Sequence, residues 1–343
     1  MLGIAVRLHR PLVALRNTKH CRFAQLTLFV ILIFNALGMM LAEAAMQDWP
    51  QRPIILIVPY APGGTADFQA RIMAARLSEK VGQPVVVENK GGAAGIIATE
   101  YVIRSRPDGY TLLFGTSAQT TSVPMAQKVD YKLDDLIPIS ACGNGPMILA
   151  VNAKLPVHSL KEFVSYAIAS PDKYTYASGG LGAVTHLAAA LFVERAGLHA
   201  LHVPFRGAGP AVAALIAGQV DFYFGNSADL LLYAKDDHIR ILGVSAPKRM
   251  PQLPDVPAVS ELIPGFKITA WQGFLAPAHT PQPIIDRIAN EISSIAKEPD
   301  VIEKFATAGV EATSTDQAQF LQIIQDEQSV YAAAVQAAGL KHN

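Results

Sequence analysis

The sequence predicts an α/β protein of two lobes, each a mostly parallel sheet flanked by helices, joined by two crossing strands. Three observations carry this. Short β-branched runs alternate with amphipathic stretches, the pattern of strands feeding crossover helices. The alternation is interrupted twice, near residues 144–151 and 264–277, by Gly- and Pro-bearing segments that lead into apolar runs. The first strand run, 54–58, passes through Pro59-Tyr60-Ala61-Pro62-Gly63-Gly64-Thr65-Ala66-Asp67 directly into a helical stretch, 68–80. Such a joint leaves backbone N–H groups unpaired at a helix start, where the helix dipole also favours an anion.

The remaining elements follow in order. A strand at 84–88 and a helix around 95–106 precede the turn Pro107-Asp108-Gly109 and a strand at 110–114. Strand runs recur at 148–151, 174–177, 201–204, 221–224 and 239–244, with helical stretches at 160–170, 185–196, 210–217 and 230–236 between them. A run at 266–275 follows a proline-rich stretch (Pro251, Pro254, Pro257, Pro264), and helical patterns at 281–308 and 316–338 close the chain. The interruptions divide the chain into a first lobe of 48–146 plus 267–343 and an inserted second lobe of 147–266. Two crossings make a hinge, and a cleft between lobes suits a small buried ligand. A single large doubly wound sheet is the competing arrangement.

The first residues read as an export signal, 1–44. Arg7, Arg10, Arg16, Lys19 and Arg22 form a basic leader, 26–41 is apolar, and Ala42-Glu43-Ala44 offers small residues for cleavage after Ala44. An uncleaved membrane anchor is the alternative. The chain carries 28 basic and 28 acidic residues; the leader holds five basic and one acidic, so the remainder has 23 and 27, a net charge of −4. That argues against nucleic acid as a partner. Cys142 alone follows the leader, which excludes an intrachain disulfide and a multi-cysteine metal site. About 300 residues suffice for one large core or two ordinary ones.

No Gly-Lys-Ser/Thr follows the glycine turn and no Gly-x-Gly-x-x-Gly is present, so neither a phosphate loop nor a dinucleotide site is expected. What remains is a cradle for a small anion, a carboxylate. Gly63 and Gly64 let the backbone approach a ligand. Thr65 caps the helix or donates its hydroxyl. Asp67 complements the helix start, because a carboxylate facing an anion would repel it. Thr116 and Ser117 follow the 110–114 strand at the same sheet edge. Gly115-Thr116-Ser117-Ala118 also loosely resembles a hydrolase nucleophile elbow, making a secreted α/β hydrolase using Ser117 the enzyme alternative. Against it, 119–124 is a poor helix start and no histidine motif supports it. A second glycine-rich joint, Ser178-Gly179-Gly180-Leu181-Gly182-Ala183, precedes the helix at 185–196, with His186 read as a structural residue of the helix start.

Several blocks in order resemble one family. They are 53–60 (PIILIVPY) with 62–67 (PGGTAD), 82–89 (GQPVVVEN), 107–113 (PDGYTLL), 176–179 (YASG), 186–188 (HLA), 203–207 (VPFRG), 218–221 (GQVD), 253–257 (LPDVP) and 275–277 (LAP). Together they resemble the substrate-binding proteins of tripartite tricarboxylate transporters, the Bug receptors, over 49–339. The resemblance implies a periplasmic two-lobed protein with the type II periplasmic-binding fold, binding without catalysis, cofactor or metal. It further implies a small organic acid held between the lobes, with the loop after the first strand, Tyr60 included, contacting one carboxylate partly through ordered water. A two-subunit membrane permease is the implied partner, a signalling membrane sensor the alternative, and a monomer the implied state.

The chain departs from the family pattern at several positions. Ala183 stands where most members have Thr or Ser, a lost hydroxyl typically contributing ~1 kcal/mol net. Phe205-Arg206 replaces Tyr-Lys; Arg206 either pairs with a ligand carboxylate or is solvated. Gly225-Asn226 replaces a frequent Asp-Asn. Trp271, in the second crossing, either stacks on a ligand or wedges the hinge. The expected binding set is therefore Tyr60, Gly63, Gly64, Thr65, Asp67, Thr116, Ser117, Ser178, Gly179, Gly182, Ala183, Phe205, Arg206, Asn226 and Trp271. The departures point to a carboxylate with an apolar or aromatic body rather than an amino acid.

Overall fold

The computed structural model describes residues 49–340; the expected leader and its cleavage after Ala44 lie outside them. The first lobe is built on β1 (Ile54–Val58), β2 (Val85–Asn89) and β3 (Thr111–Thr116), with β1 central and parallel to both neighbours. The second is built on β5 (Tyr174–Ser178), β6 (Ala200–Pro204) and β7 (Phe222–Asn226), with β5 central and again parallel to both. Between them run β4 (Leu136–Asn152) and β9 (Thr269–Pro277), antiparallel to each other. The strand order is β2-β1-β3-β9-β4-β7-β5-β6; β8 (Ile239–Val244) and the two-residue β10 (Glu311–Ala312) pair β4 in addition. The parallel reading thus holds away from the crossings, whereas every pair made by β4 or β9 is antiparallel.

Strand β4 is one element of 17 residues where the sequence shows an apolar run only at its end. It tolerates Pro138, Gly143, Gly145 and Pro146 because its pairing with β9 shifts register twice, between Pro138 and Ser140 and between Ala141 and Gly143. Such bulges absorb residues that a regular central strand rejects. Its far half shows strand alternation. Leu149 and Val151 enter one core with Phe163, Leu187, Phe192, Phe222 and Phe224. Ile148 and Ala150 enter another, on the opposite face, with Leu215, Tyr223 and Val244.

The helices are α1 (Thr65–Val81), α2 (Ile96–Ile103), α3 (Val123–Ala126), α4 (Leu160–Ile168), α5 (Val184–Arg195), α6 (Ala208–Ala217), α7 (Ser227–Leu230), α8 (Gln282–Ile295), α9 (Pro299–Thr307), α10 (Gln317–Asp326) and α11 (Gln328–Ala337). The long pattern at 281–308 divides at Glu298-Pro299, and that at 316–338 divides at Glu327. Helix α8 shows why these segments are helical. It buries Ile284, Ile285, Ile288, Ile292 and Ile295 on one face and keeps polar residues on the other. Each such side chain contributes roughly 1.5–3 kcal/mol, so Ile288→Asp would unseat the helix. Helix α11 packs against α5, placing Tyr331, Ala334 and Val335 in the same core as Leu187 and Phe192.

Two local expectations are corrected. Residues 118–126 are helical, a π-helical turn (Ala118–Ser122) running into α3. The Thr/Ser run is a weak helix former in isolation, but tertiary partners hold it. Gln119 accepts from the Thr116 N–H at 2.8 Å, and the Glu327 carboxylate accepts from Ser117 Oγ and Thr121 Oγ1, both at 2.7 Å. The predicted helix at 230–236 is instead the end of α7 followed by a 3₁₀ turn, Leu231–Tyr233.

Candidate functional site

Both strand–turn–helix joints open on one narrow cavity between the lobes. Its walls come from the start of α1 (Gly64, Thr65, Ala66, Asp67), the start of α5 (Ala183, Val184, Thr185), the start of α6 (Gly207, Ala208), and Tyr60, Thr116, Gly179, Tyr223, Asn226, Ala270 and Gln272. Three helix N-termini therefore converge on it. The lobes meet closely here: a Cβ at Gly64 would stand 3.2 Å from the Ala208 Cβ, and one at Gly207 would stand 3.3 Å from the Ala61 backbone nitrogen. Gly63 at φ +90° and Gly207 at φ +123° also adopt backbone conformations that glycine alone takes readily.

The three helix starts differ in how their N–H groups are used. At α1, Gly63 N–H donates to Asp67 Oδ2 at 3.0 Å, while Thr65 donates its N–H and its Oγ1–H to Asp229 Oδ1 at 2.8 and 2.7 Å. Asp229 lies 164 residues away, at the start of α7, and is 5 % exposed. Its other oxygen accepts from Asn226 N–H (3.2 Å), Asn226 Nδ2 (3.0 Å) and Tyr223 Oη (3.4 Å). Burial raises the Asp229 carboxyl, and the Thr65 and Asn226 donors oppose that rise. Burial also works to raise Asp67, but Arg71, the Gly63 N–H and Asn89 bring it below the usual carboxylate range. Neither α5 nor α6 receives a capping side chain from its N-cap residue, Ala183 or Gly207. The glycine loop before α5 is tied internally: Gly179 N–H donates to Thr185 Oγ1, Gly180 N–H to Ser178 Oγ, and Gly182 N–H to His186 Nδ1. His186 thus holds the loop, as a neutral ring that burial and the stacked His202 push down to about 3.

Eight of the expected residues line the cavity: Tyr60, Gly64, Thr65, Asp67, Thr116, Gly179, Ala183 and Asn226. The other seven lie outside its lining. Gly63 is the turn residue bonded to Asp67. Ser117 is fully buried and donates to Glu327. Ser178 is fully buried against His202, and Gly182 is bonded to His186. Phe205 packs on the second-lobe core, and Arg206 is exposed. Trp271 donates its Nε1–H to Glu327 Oε2 at 2.9 Å and meets the Phe320 ring edge-on at 4.8 Å, on the side of β9 away from the cavity. Alternation along β9 explains that placement, since Ala270 and Gln272 take the cavity side. The same period could have pointed to Gln272 once Trp271 was assigned to the hinge. Sequence reasoning also missed Ala66, Val184, Thr185, Gly207, Ala208, Tyr223 and Asp229. Most of these sit at, or up to three residues before, a predicted helix start.

Among the described residues, the lining contains no Lys, Arg or His; its one ionisable acid, Asp67, is paired with Arg71 at 2.9 Å. Attraction for an anion comes from backbone dipoles and polar side chains. Gln272 accepts from Gln69 Nε2 at 2.8 Å through its Oε1, which leaves its own N–H donors for a guest.

Comparison with known proteins agrees with this geometry. A family model, tripartite tricarboxylate transporter family receptor, matches residues 69–340. The protein BugT of Bordetella pertussis is 35% identical over 318 residues, covering 92% of this chain and 98% of that protein. Among solved structures, R. palustris Rpa4515 with adipate superposes with a TM-score of 0.83 at 30% identity, covering 85% of this chain and 99% of that one. The periplasmic binding protein BugD gives 0.82 at 29% identity, covering 86% and 100%. MatC from Rhodopseudomonas palustris with bound malate gives 0.78 at 30% identity, covering 84% and 100%. With two lobes closing on a cavity ringed by helix starts, and a family match across most of its length, the chain belongs to the tripartite tricarboxylate transporter receptor family, as a solute-binding receptor.

Proposed function

We propose that this protein captures a small organic carboxylate in the interlobe cavity in the periplasm and delivers it to a two-subunit membrane permease, as a monomer and without chemical change to the ligand. The observation that carries this is the convergence of the α1, α5 and α6 starts on a cavity with no fixed cation in its lining. Such a site holds one anion by backbone N–H groups and lets it go when the lobes part. Adipate in Rpa4515 and malate in MatC, in structures of the same fold, support a carboxylate guest. The absence of catalysis is supported by Ser117, whose hydroxyl is buried and committed to Glu327.

The lobes in this proposal are 48–146 plus 267–343 and 147–266, turning about the crossings near 146 and 266. Ligand contacts come from Tyr60, Thr116, Gly179, Ala183 and Asn226, joined by Val184, Ala208 and Gln272, while Thr65 lines the wall with its donors held by Asp229. Export follows cleavage after Ala44, which mass measurement of the secreted chain tests directly. The functional reading is tested by thermal unfolding of the purified protein with small organic acids and their neutral amides. A ligand at 100 times its Kd stabilises by about 2.7 kcal/mol. The acids raise the melting temperature and the amides do not; equal shifts from both would remove the carboxylate from the account.

A further inference from the structure

The α1 start is where an anion would be expected first, and a carboxylate of the protein already occupies it. Asp229 crosses from the second lobe and takes both donors of Thr65, at 2.8 and 2.7 Å. Its geometry is that of a carboxylate guest: a backbone N–H and a hydroxyl on one oxygen, and Asn226 and Tyr223 donors on the other. The starts of α5 and α6, in contrast, line the same cavity without a capping side chain from their N-cap residues. One end of the cavity is filled by the protein, and the other is open to a guest.

We propose that Asp229 supplies one of the two carboxylates of the closed cleft, so that the cavity selects organic acids bearing a single carboxylate on an uncharged, apolar body. The inference rests on the carboxylate-receptor reading and narrows it. The chemistry of the walls follows it at each point. Ala66, Ala183, Val184, Ala208 and Ala270 provide an apolar surface for the body of the ligand. A second carboxylate on the ligand would lie near Asp229, which has no Lys, Arg or His partner in the lining to offset it, whereas Asp67 is already paired with Arg71. An ammonium group finds no free carboxylate oxygen waiting either. Asp67 Oδ1 already accepts from Asn89 and lies 2.9 Å from Arg71, and Oδ2 accepts from Gly63 and Arg71. Asp229 accepts five hydrogen bonds of its own. Buried oxygens whose lone pairs are already used gain little from another donor.

The test is calorimetric titration of the ligand-free full-length mature protein with two matched pairs, hexanoate against adipate and benzoate against terephthalate, with aspartate as the zwitterion. Each monoacid of a pair that binds is expected to bind at least tenfold more tightly than its diacid, and aspartate more weakly than the preferred monoacid. In Asp229→Asn the loss of the fixed charge narrows the ratio to threefold or less. Adipate or terephthalate binding as tightly as its monoacid in the unaltered protein would overturn the proposal, as would a preference for aspartate. Should the variant fail to fold, the ratios in the unaltered protein still decide. Failure of all five compounds to bind would overturn the carboxylate reading itself, a result distinct from binding without the monoacid preference.

Discussion

The starts of α1 and α5 are built from the same materials, a parallel strand, a glycine-rich turn and a helix, yet they are finished differently. At α1 the helix is capped from the other lobe by Asp229. At α5 the loop is tied to its own helix by Thr185 and His186, and the N-cap Ala183 offers no side-chain bond. The N–H donors of the first joint therefore depend on the lobes being together, whereas those of the second loop are bonded within their own lobe, the first lobe adding only Ser122 and Gln127 donors to the Gly182 and Leu181 carbonyls. Identical local chemistry is thus turned in one place into a closure contact and in the other into a preformed receptor surface. A helix start that remains uncapped when all else is satisfied is where a ligand gains most.

The largest effect that could break this comparison is removal of the closure contact. Asp229→Ala strands the Thr65 and Asn226 donors in a buried setting, and we expect a loss of about 3 kcal/mol in unfolding free energy by urea denaturation. Stability unchanged by the substitution would mean the contact is not formed in solution. Second in size is a pH effect at the other buried acid near the crossings. Burial pushes Glu327 up to about 7, against the opposing donors of Ser117, Thr121 and Trp271. Its folded value lies above the ordinary 4.5, so this contribution to stability is full below pH 4.5 and is lost as pH rises through about 7. Melting temperatures should fall across that window by the equivalent of up to about 3 kcal/mol, and Glu327→Gln should flatten the profile.

Two smaller effects sharpen the contrast at the site. Gln272→Ala removes one donor facing the guest and should weaken ligand affinity about fivefold, roughly 1 kcal/mol; it also strands the buried Gln69 amide and should lower unliganded stability by about 1 kcal/mol or more. Arg206, exposed beside the cavity-lining Gly207, should be replaceable by Ala with a change in affinity of under about 0.5 kcal/mol at moderate salt. A tenfold loss there would bring Arg206 back as a ligand contact.

The sequence made much of this frame legible, because parallel strands buried on both faces and glycine turns write themselves locally. Ile54–Val58 is a continuous apolar run, and Gly63-Gly64 marks the turn after it. Strand β4 was hidden by Pro138, Gly143 and Pro146, whose cost is absorbed by bulges that depend on β9, over 100 residues later. The 118–126 helix was hidden because its Thr and Ser hydroxyls find their acceptor in Glu327, more than 200 residues away. Asp229 shows the limit most clearly. Asn226 and Asp229 have the spacing of a local capping box, and its returning half is formed, with Asn226 N–H donating to Asp229 Oδ2. Nothing local says that the remaining oxygen of Asp229 reaches Thr65 in the other lobe. Ser117, Ser178 and Trp271 sit at positions a sequence reader would choose, but their polar atoms are already used by Glu327 and His202.

A crystal structure of the protein with a bound organic acid tests the central claim most directly. The account predicts the ligand carboxylate against the backbone N–H groups of Val184, Thr185, Ala208 and Gly209, with Asp229 still accepting from Thr65. A ligand carboxylate seated on Thr65, with Asp229 displaced, would contradict it.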